Sequence, residues 1–249
     1  MRTLHKPTLR ALSVLELVSS SEHKYTLSEI SRTLNIPIST LSPILYTLRE
    51  QKYLGFDEEA QSYYLGMRLF EIGSRIQGSS TYQKIINIMS DVVDACGETC
   101  HFGILDRGDV LYLAKVDAKQ PIRLFSTIGK RLPAYGTAIG KALLKGYSLE
   151  DLKQLYPEGL KPLTTNTITD FQKLYDQIHG NDILLYENEE SNESIRCIAV
   201  PIYRNGTVVA ACSVAVPIYR YSREKQSDIE TALKTALVQL EQMIHLFVF

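Results

Sequence analysis

Near the start of this 249-residue chain, three short hydroxyl side chains, Ser39, Thr40 and Ser42, stand among four bases, Arg10, Lys24, Arg32 and Arg49. Side chains of these types hydrogen-bond to phosphates and to the base edges of duplex DNA, and Thr26 can join them. A hydroxyl specifies less than an arginine paired twice with guanine, and serine or threonine at a helix start also serves as a cap. A second group suggests different chemistry. At Tyr135-Gly136-Thr137-Ala138-Ile139-Gly140-Lys141, small residues open a helical stretch whose free amides a ligand can approach closely. The helix dipole favours an anion there, and a carboxylate fits. Cys100 beside His101 invites a thiol nucleophile, but adjacent strand residues point to opposite faces, so the imidazole cannot activate the thiol. Cys96, Cys100 and His101 lack the spacing and the fourth ligand of a zinc site. No catalytic residue, metal or cofactor is expected, and the chain is not read as an enzyme.

Apolar spacing supplies the elements that must hold these groups. Thr26 and Glu29 stand in capping-box spacing, and Leu27, Ile30 and Leu34 then form one apolar face. After the turn Asn35-Ile36-Pro37, Leu41, Ile44, Leu45 and Leu48 repeat at i, i+3, i+4 and i+7, leaving Ser39, Thr40, Ser42 and Thr47 on other faces. Two helices joined in this way form a DNA-reading device. Pro43 admits two arrangements. Inside the second helix it removes the bond to the Ser39 carbonyl, at a cost of ~3 kcal/mol. More cheaply, Ser42 is the N-cap and Pro43 the first helical residue, after an irregular turn over 38–41. Ala11, Val14, Leu15 and Val18 predict a helix over 8–19, and two β-prone pieces, 53–56 and 63–65, form a hairpin or wing.

A narrow helix over 66–77, marked by Leu69, Ile72 and Ile76, leads through Gly78-Ser79-Ser80 into a broader one at 82–96. Strands at 99–105, 110–117 and 122–128 follow, then an Ala- and Gly-rich helix over 136–144. Ser148 and Thr169 cap two short helices. Strand signals at 183–187 precede a hairpin of 195–203 with 208–217 across Asn205-Gly206, and a closing helix runs from 222 past 240. The order αβββαααβββα describes one antiparallel sheet with helices at its faces and ends, so the fold class is α+β.

The length suggests two domains. Lys and Arg total 27 against 28 Asp and Glu, so no global field attracts nucleic acid or a membrane. Over residues 1–66 seven bases meet seven acids, which predicts few phosphate contacts per subunit and reliance on a symmetric dimer. Leu9, Leu12 and Val18 of the first helix, with Leu69, Ile72 and Ile76, are the candidate dimer surfaces. The cysteines Cys96, Cys100, Cys197 and Cys212 show no CxxC, and buried reduced thiols are expected. No leader and no run of ~18 apolar residues are present, which points to the cytoplasm.

Several motifs together resemble one family, the IclR-type bacterial transcriptional regulators. LRALSVLELV at 9–18, TLSEISRTLNIPISTL at 26–41 and YYLGMRLFEIG at 63–73 are similar to its winged helix-turn-helix and linker. RLPAYGTAIGKALL at 131–144 and IRCIAVPIY at 195–203, followed by VAACSVAVP, are similar to its GAF-like effector domain. The resemblance implies a winged helix-turn-helix domain over 1–66, a linker helix over 67–80 and an effector domain over 81–249. It implies a regulator, expected to be a repressor, that binds a double-stranded DNA operator as a homodimer or homotetramer. A small-molecule effector, a carboxylate or sugar acid, would change its operator affinity. Residues matching the family's effector pocket are Leu124, Ala138, Ile139, Gly140, Glu187, Cys197 and Ser213. The chain departs from the family at Ser42-Pro43, where members carry His or an aromatic residue followed by Arg, and at Ala215, which replaces a serine of some relatives. An alternative is a small-molecule-binding or interaction module whose DNA head is weakened.

Overall fold

The computed structural model describes residues 4–20, 23–120, 127–180 and 183–246. These form two compact units, Met1–Ser79 and Ser80–Phe249. In the first, α1 (Lys6–Ser19) starts earlier than its apolar repeat because Pro7 occupies the first turn, where no amide is needed. A two-residue strand, β1 (Tyr25–Thr26), leads into α2 (Leu27–Leu34). Thr26 caps α2 through the capping box: its amide donates to Glu29 Oε2 at 2.8 Å, and the Glu29 amide donates to its hydroxyl at 3.3 Å. Asn35 ends α2 in the left-handed region, φ 51°, which asparagine tolerates better than most residues.

The next helix, α3 (Ile38–Glu50), runs through Pro43 without interruption. The cheaper arrangement, a helix beginning at Pro43, is therefore not the one adopted. Leu41 and Leu45 explain why: both are fully buried, with Val14, Ile30 and Leu54, in the core of this unit. An irregular turn over 38–41 would take Leu41 out of the i, i+4 register it shares with Leu45. Burying such a side chain contributes ~1.5–3 kcal/mol, comparable with the cost of the proline. The wing consists of β2 (Leu54–Asp57) and β3 (Ser62–Leu65), with β1 added to β3, Thr26 opposite Ser62. Gly66 then caps α4 (Met67–Gln77), a helix that buries no residue within this unit.

The second unit is a six-stranded antiparallel sheet in the order β6-β5-β4-β9-β8-β7. Its elements are α5 (Ser80–Cys96), β4 (Thr99–Asp106), β5 (Asp109–Val116), β6 (Arg131–Pro133), α6 (Ala138–Leu143), α7 (Leu149–Leu155), α8 (Phe171–His179), β7 (Leu185–Asn188), β8 (Ile195–Arg204), β9 (Thr207–Pro217) and α9 (Arg223–Met243). Strand alternation sorts the sheet into two faces. Ile198, Val200, Cys212 and Val214 point to α5 and α9, while Ala199, Ala211 and Cys197 point to α6. The second face is lined by small residues, so α6 lies close against it. Asn205 and Gly206, with φ 52° and 79°, form the primed turn that the dipeptide predicts. With the winged helix-turn-helix, the linker helix and this GAF-like sandwich, the molecule is α+β, as its sequence indicates.

Several local expectations are corrected. Most of the strand expected over 122–128 lies outside the described residues, and the edge strand beside β5 is β6, with Val110 opposite Leu132. The helix expected over 136–144 is shorter, because Ala134–Gly136 form a 3₁₀ turn and Thr137 takes the N-cap, accepting from the Gly140 amide at 3.0 Å. Asp170, not Thr169, caps α8, accepting from the Lys173 amide at 2.8 Å.

Candidate DNA-reading face and effector cavity

On α3, Ser39 and Ser42 are exposed and Thr40 is half-buried. The packing of Leu41, Ile44, Leu45 and Leu48 turns the first two outward, as their spacing predicts. The bases have different surroundings. Arg10 is half-buried on α1 and Arg32 is exposed in the last turn of α2. Lys24 pairs with Asp57 on the wing at 2.7 Å, which raises its pKa, and lies 5.6 Å from the Tyr64 ring centre. Arg49 is exposed and sits over Phe56, 5.4 Å from the ring centre. The Thr26 hydroxyl is engaged in the capping box, donating to Glu29 Oε2 at 2.9 Å. Sequence reasoning missed Tyr46, 64% exposed in the middle of the outward face of α3. Its signal was an aromatic residue lying off the 41-44-45-48 stripe.

In the second unit, a cavity of about 130 Å³ lies between the start of α6 and the small-residue face of the sheet. Thr137, Ala138 and Ile139 form one wall, His101, Tyr112, Cys197, Ser213 and Ala215 the sheet side, and Lys130, Leu132, Ser191, Asn192 and Ile195 the rim. Ala138, Ile139, Cys197 and Ser213 thus meet around one space. Leu124 lies outside the described residues. Gly140 is not on the cavity wall. A Cβ on it would fall 2.1 Å from the Ala134 carbonyl oxygen, so its smallness serves the packing of α6 on the preceding turn. Glu187 lies behind Cys197, its register partner, rather than in the wall, and is fully buried.

Apart from Lys130 at the rim, the lining carries no charge. Burial, with Lys115 nearby, pushes His101 down to about 4, so its ring is neutral at pH 7 and meets Tyr112 edge-on at 5.4 Å. Burial also raises the Tyr112 phenol and the Cys197 thiol, the latter further because Glu187 lies beside it. Thr137 accepts from the Gly140 amide, and Ala138 and Ile139 are the first two residues of α6, whose amides have no acceptor within that helix. Both residues face the cavity.

Behind the wall lies a buried charge cluster. Lys141, 0% exposed, pairs with Glu190 at 2.6 Å and donates to the Tyr186 carbonyl at 3.3 Å. Glu187 Oε1 accepts from the amides of Glu190 at 2.5 Å and Ser191 at 2.9 Å. The Oε2 atoms of Glu187 and Glu190 are buried without a well-formed hydrogen bond among the described residues. Burial raises Glu187 and lowers Lys141. The cluster joins α6 to the β7–β8 loop, whose Ser191 and Asn192 edge the cavity. A roomier groove between α5 and α9, about 320 Å³, has only Asp91 and Asp228 as charged groups and so does not suit an anion.

His101 and Tyr112 were not among the expected pocket residues, although strand alternation could have found them. If Cys100 faces the α5 side, His101 faces α6, and its register partner is Ser213. Ser191 and Asn192 had no local signal, because their place depends on the path of a loop.

Comparison with known proteins gives a consistent result. Residues 7–58 match the IclR helix-turn-helix domain, and residues 76–241 match the bacterial transcriptional regulator IclR C-terminal domain. The chain is 33% identical over 239 residues to the HTH-type transcriptional regulator KdgR of Escherichia coli (strain K12), covering 92% of this chain and 88% of that protein. It is 27% identical over 240 residues to the HTH-type transcriptional repressor AllR of the same strain, covering 90% and 89%. An IclR transcriptional regulator from Alicyclobacillus acidocaldarius superposes with a TM-score of 0.85 at 22% identity, covering 97% of this chain and 99% of that one. An IclR homologue from Microbacterium hydrocarbonoxydans, complexed with 4-hydroxybenzoate, gives 0.78 at 23% identity, covering 97% and 100%.

Proposed function

Since the chain belongs to the IclR family of bacterial transcriptional regulators, we propose that it is a repressor that reads its operator with the outward face of α3 and senses a small hydroxylated carboxylate. The observation that carries the effector class is that Ala138 and Ile139, the first two residues of α6, line a cavity of about 130 Å³. Two adjacent amides at the positive end of a helix suit the two oxygens of a carboxylate. Ser213, Thr137, Tyr112, Asn192 and neutral His101 offer bonds for hydroxyl groups, and Lys130 at the rim adds attraction for an anion. An apolar cavity of ~150 Å³ holds a benzene ring, so the ligand has about that bulk. The relative crystallised with 4-hydroxybenzoate supports a small carboxylate, and the likeness to AllR supports repression.

The test has two parts. Fluorescence polarisation with DNA from upstream of its own gene, titrated in salt, should show saturable, sequence-preferring binding; its absence under every condition would remove the DNA-reading assignment. Calorimetry with a panel of small hydroxy acids should find a ligand that changes operator affinity. Ala215→Leu fills the cavity from the sheet without removing a polar partner. It is expected to weaken that ligand at least about tenfold, roughly 1.4 kcal/mol, while leaving operator affinity in its absence within about twofold. An unchanged ligand affinity would place the effector elsewhere.

The same reading requires more than one copy of the chain. One head with no net charge makes few phosphate contacts. The first unit also exposes Met67 (74%), Phe70 (71%) and Ile76 (66%) on α4, and Leu12 on α1. Val18, one of the expected dimer residues, is instead buried in its own core. Light scattering after size exclusion is expected to give at least twice 28.1 kDa, and Phe70→Glu should shift it toward one copy. A strict monomer at micromolar concentration would contradict this.

A further inference from the structure

The continuous course of α3 decides which base edges its outward face can read. Between Ile38 and Thr47 the exposed side chains are Ile38, Ser39, Ser42, Pro43, Tyr46 and Thr47. None is basic and none is an amide. Pro43 and Tyr46 are three residues apart on one helix, so the two rings are surface neighbours. Thr47 turns its hydroxyl back to the Pro43 carbonyl, 2.8 Å away, and presents its methyl group. Two cations of this unit are engaged elsewhere, Arg49 over Phe56 and Lys24 on Asp57.

In the major groove, guanine is read best by arginine or lysine and adenine by asparagine or glutamine, whereas thymine offers a C5-methyl group to apolar contacts. We propose that Pro43 and Tyr46 read thymine methyl groups, so that each operator half-site depends on thymine, and not on guanine, where α3 enters the groove. This rests on α3 being the DNA-reading helix. A helix that began at Pro43 would have put the proline at its tip; the observed helix puts it one and a half turns in, beside Tyr46.

The experiment uses the full chain and its upstream DNA fragment, narrowed by footprinting to the bound site. Uracil in place of thymine removes only the C5-methyl, and 7-deazaguanine removes only the N7 acceptor. Uracil at one symmetric pair of positions is expected to weaken binding about tenfold, the usual scale of one lost base contact, while 7-deazaguanine throughout changes it less than about twofold. Tyr46→Ala and Pro43→Ala should bind thymine and uracil sites alike, and Tyr46→Phe should keep the difference. Tyr46 is exposed and Pro43→Ala restores an amide, so neither change threatens the fold. Binding that ignores uracil but fails with 7-deazaguanine overturns the inference and leaves the reading of α3 intact. Uracil sensitivity that survives both alanine variants overturns the assignment to these residues. A chain that prefers no fragment overturns both.

Discussion

Alanine at Gly140 is expected to destabilise the C-terminal unit by about 3 kcal/mol, at the upper end of overpacking effects. The new Cβ would lie 2.1 Å from the Ala134 oxygen and 2.4 Å from its Cα, and both are backbone atoms that no side-chain rotation can move aside. Either α6 shifts from the sheet or the turn at Ala134–Gly136 opens. Each choice displaces the Ala138 and Ile139 amides, so ligand binding should fail together with stability. Gly146→Ala is the control: nothing lies within 4 Å of its added Cβ, and a change under about 0.5 kcal/mol is expected. Calorimetric melting of the full chain reads both variants. A Gly140→Ala protein as stable as the parent would mean that α6 does not seat on Ala134.

Lys141→Met is expected to cost about 3–5 kcal/mol, the usual result of removing one partner from a buried ion pair. It strands Glu190 and takes the nearest buried cation from Glu187. The double variant Lys141→Met with Glu190→Gln should recover most of the loss, because no uncompensated charge then remains in the pair. Glu187 also sets a pH dependence. Burial raises its folded-state pKa above the ordinary 4.5, so the folded state holds more protons than the unfolded state between the two values. Its stabilising contribution is therefore complete below pH 4.5 and is lost as pH rises through the raised value. Glu187→Gln mimics the protonated carboxyl and should melt no lower than the parent at pH 7, with a flatter pH profile. If Glu187→Gln instead melted several degrees lower at pH 7, ionised Glu187 would be the form that the fold requires.

The sequence was most legible where local chemistry alone decides the outcome. Thr26 with Glu29, Ser148 with Asp151 and Asn205 with Gly206 mark two helix starts and a hairpin, and the structure has all three. At Pro43 the local rule favoured a break, yet the burial of Leu41 and Leu45 holds the helix together, so packing overrides propensity. The cavity was half legible. Ala138, Ile139, Cys197 and Ser213 surround it, but small residues give one signal for two purposes. Gly140 is small for Ala134, whereas Ala138 is small beside the open space. Strand alternation can place His101 and Tyr112 on the α6 face, but the meeting of His101 with Ser213 depends on the β4–β9 register, which joins residues more than a hundred positions apart.

That register also governs the order in which the molecule can be made. The centre of the large sheet is the β4–β9 pair, with Cys100 opposite Val214, so β4 lacks its inner neighbour until nearly the whole chain has been synthesised. The N-terminal unit is complete at Ser79. At ~5–20 residues per second, the interval before β9 is made is on the order of 10 s. For that time a nascent chain holds a finished DNA-binding head, while the apolar face and open edge of β4 await their partners. Long-range pairing of this kind is intrinsically slow and exposed to aggregation. The sensor should therefore be the part that needs a chaperone, and chains stalled before Thr207 should carry a folded, protease-resistant head and a digestible remainder.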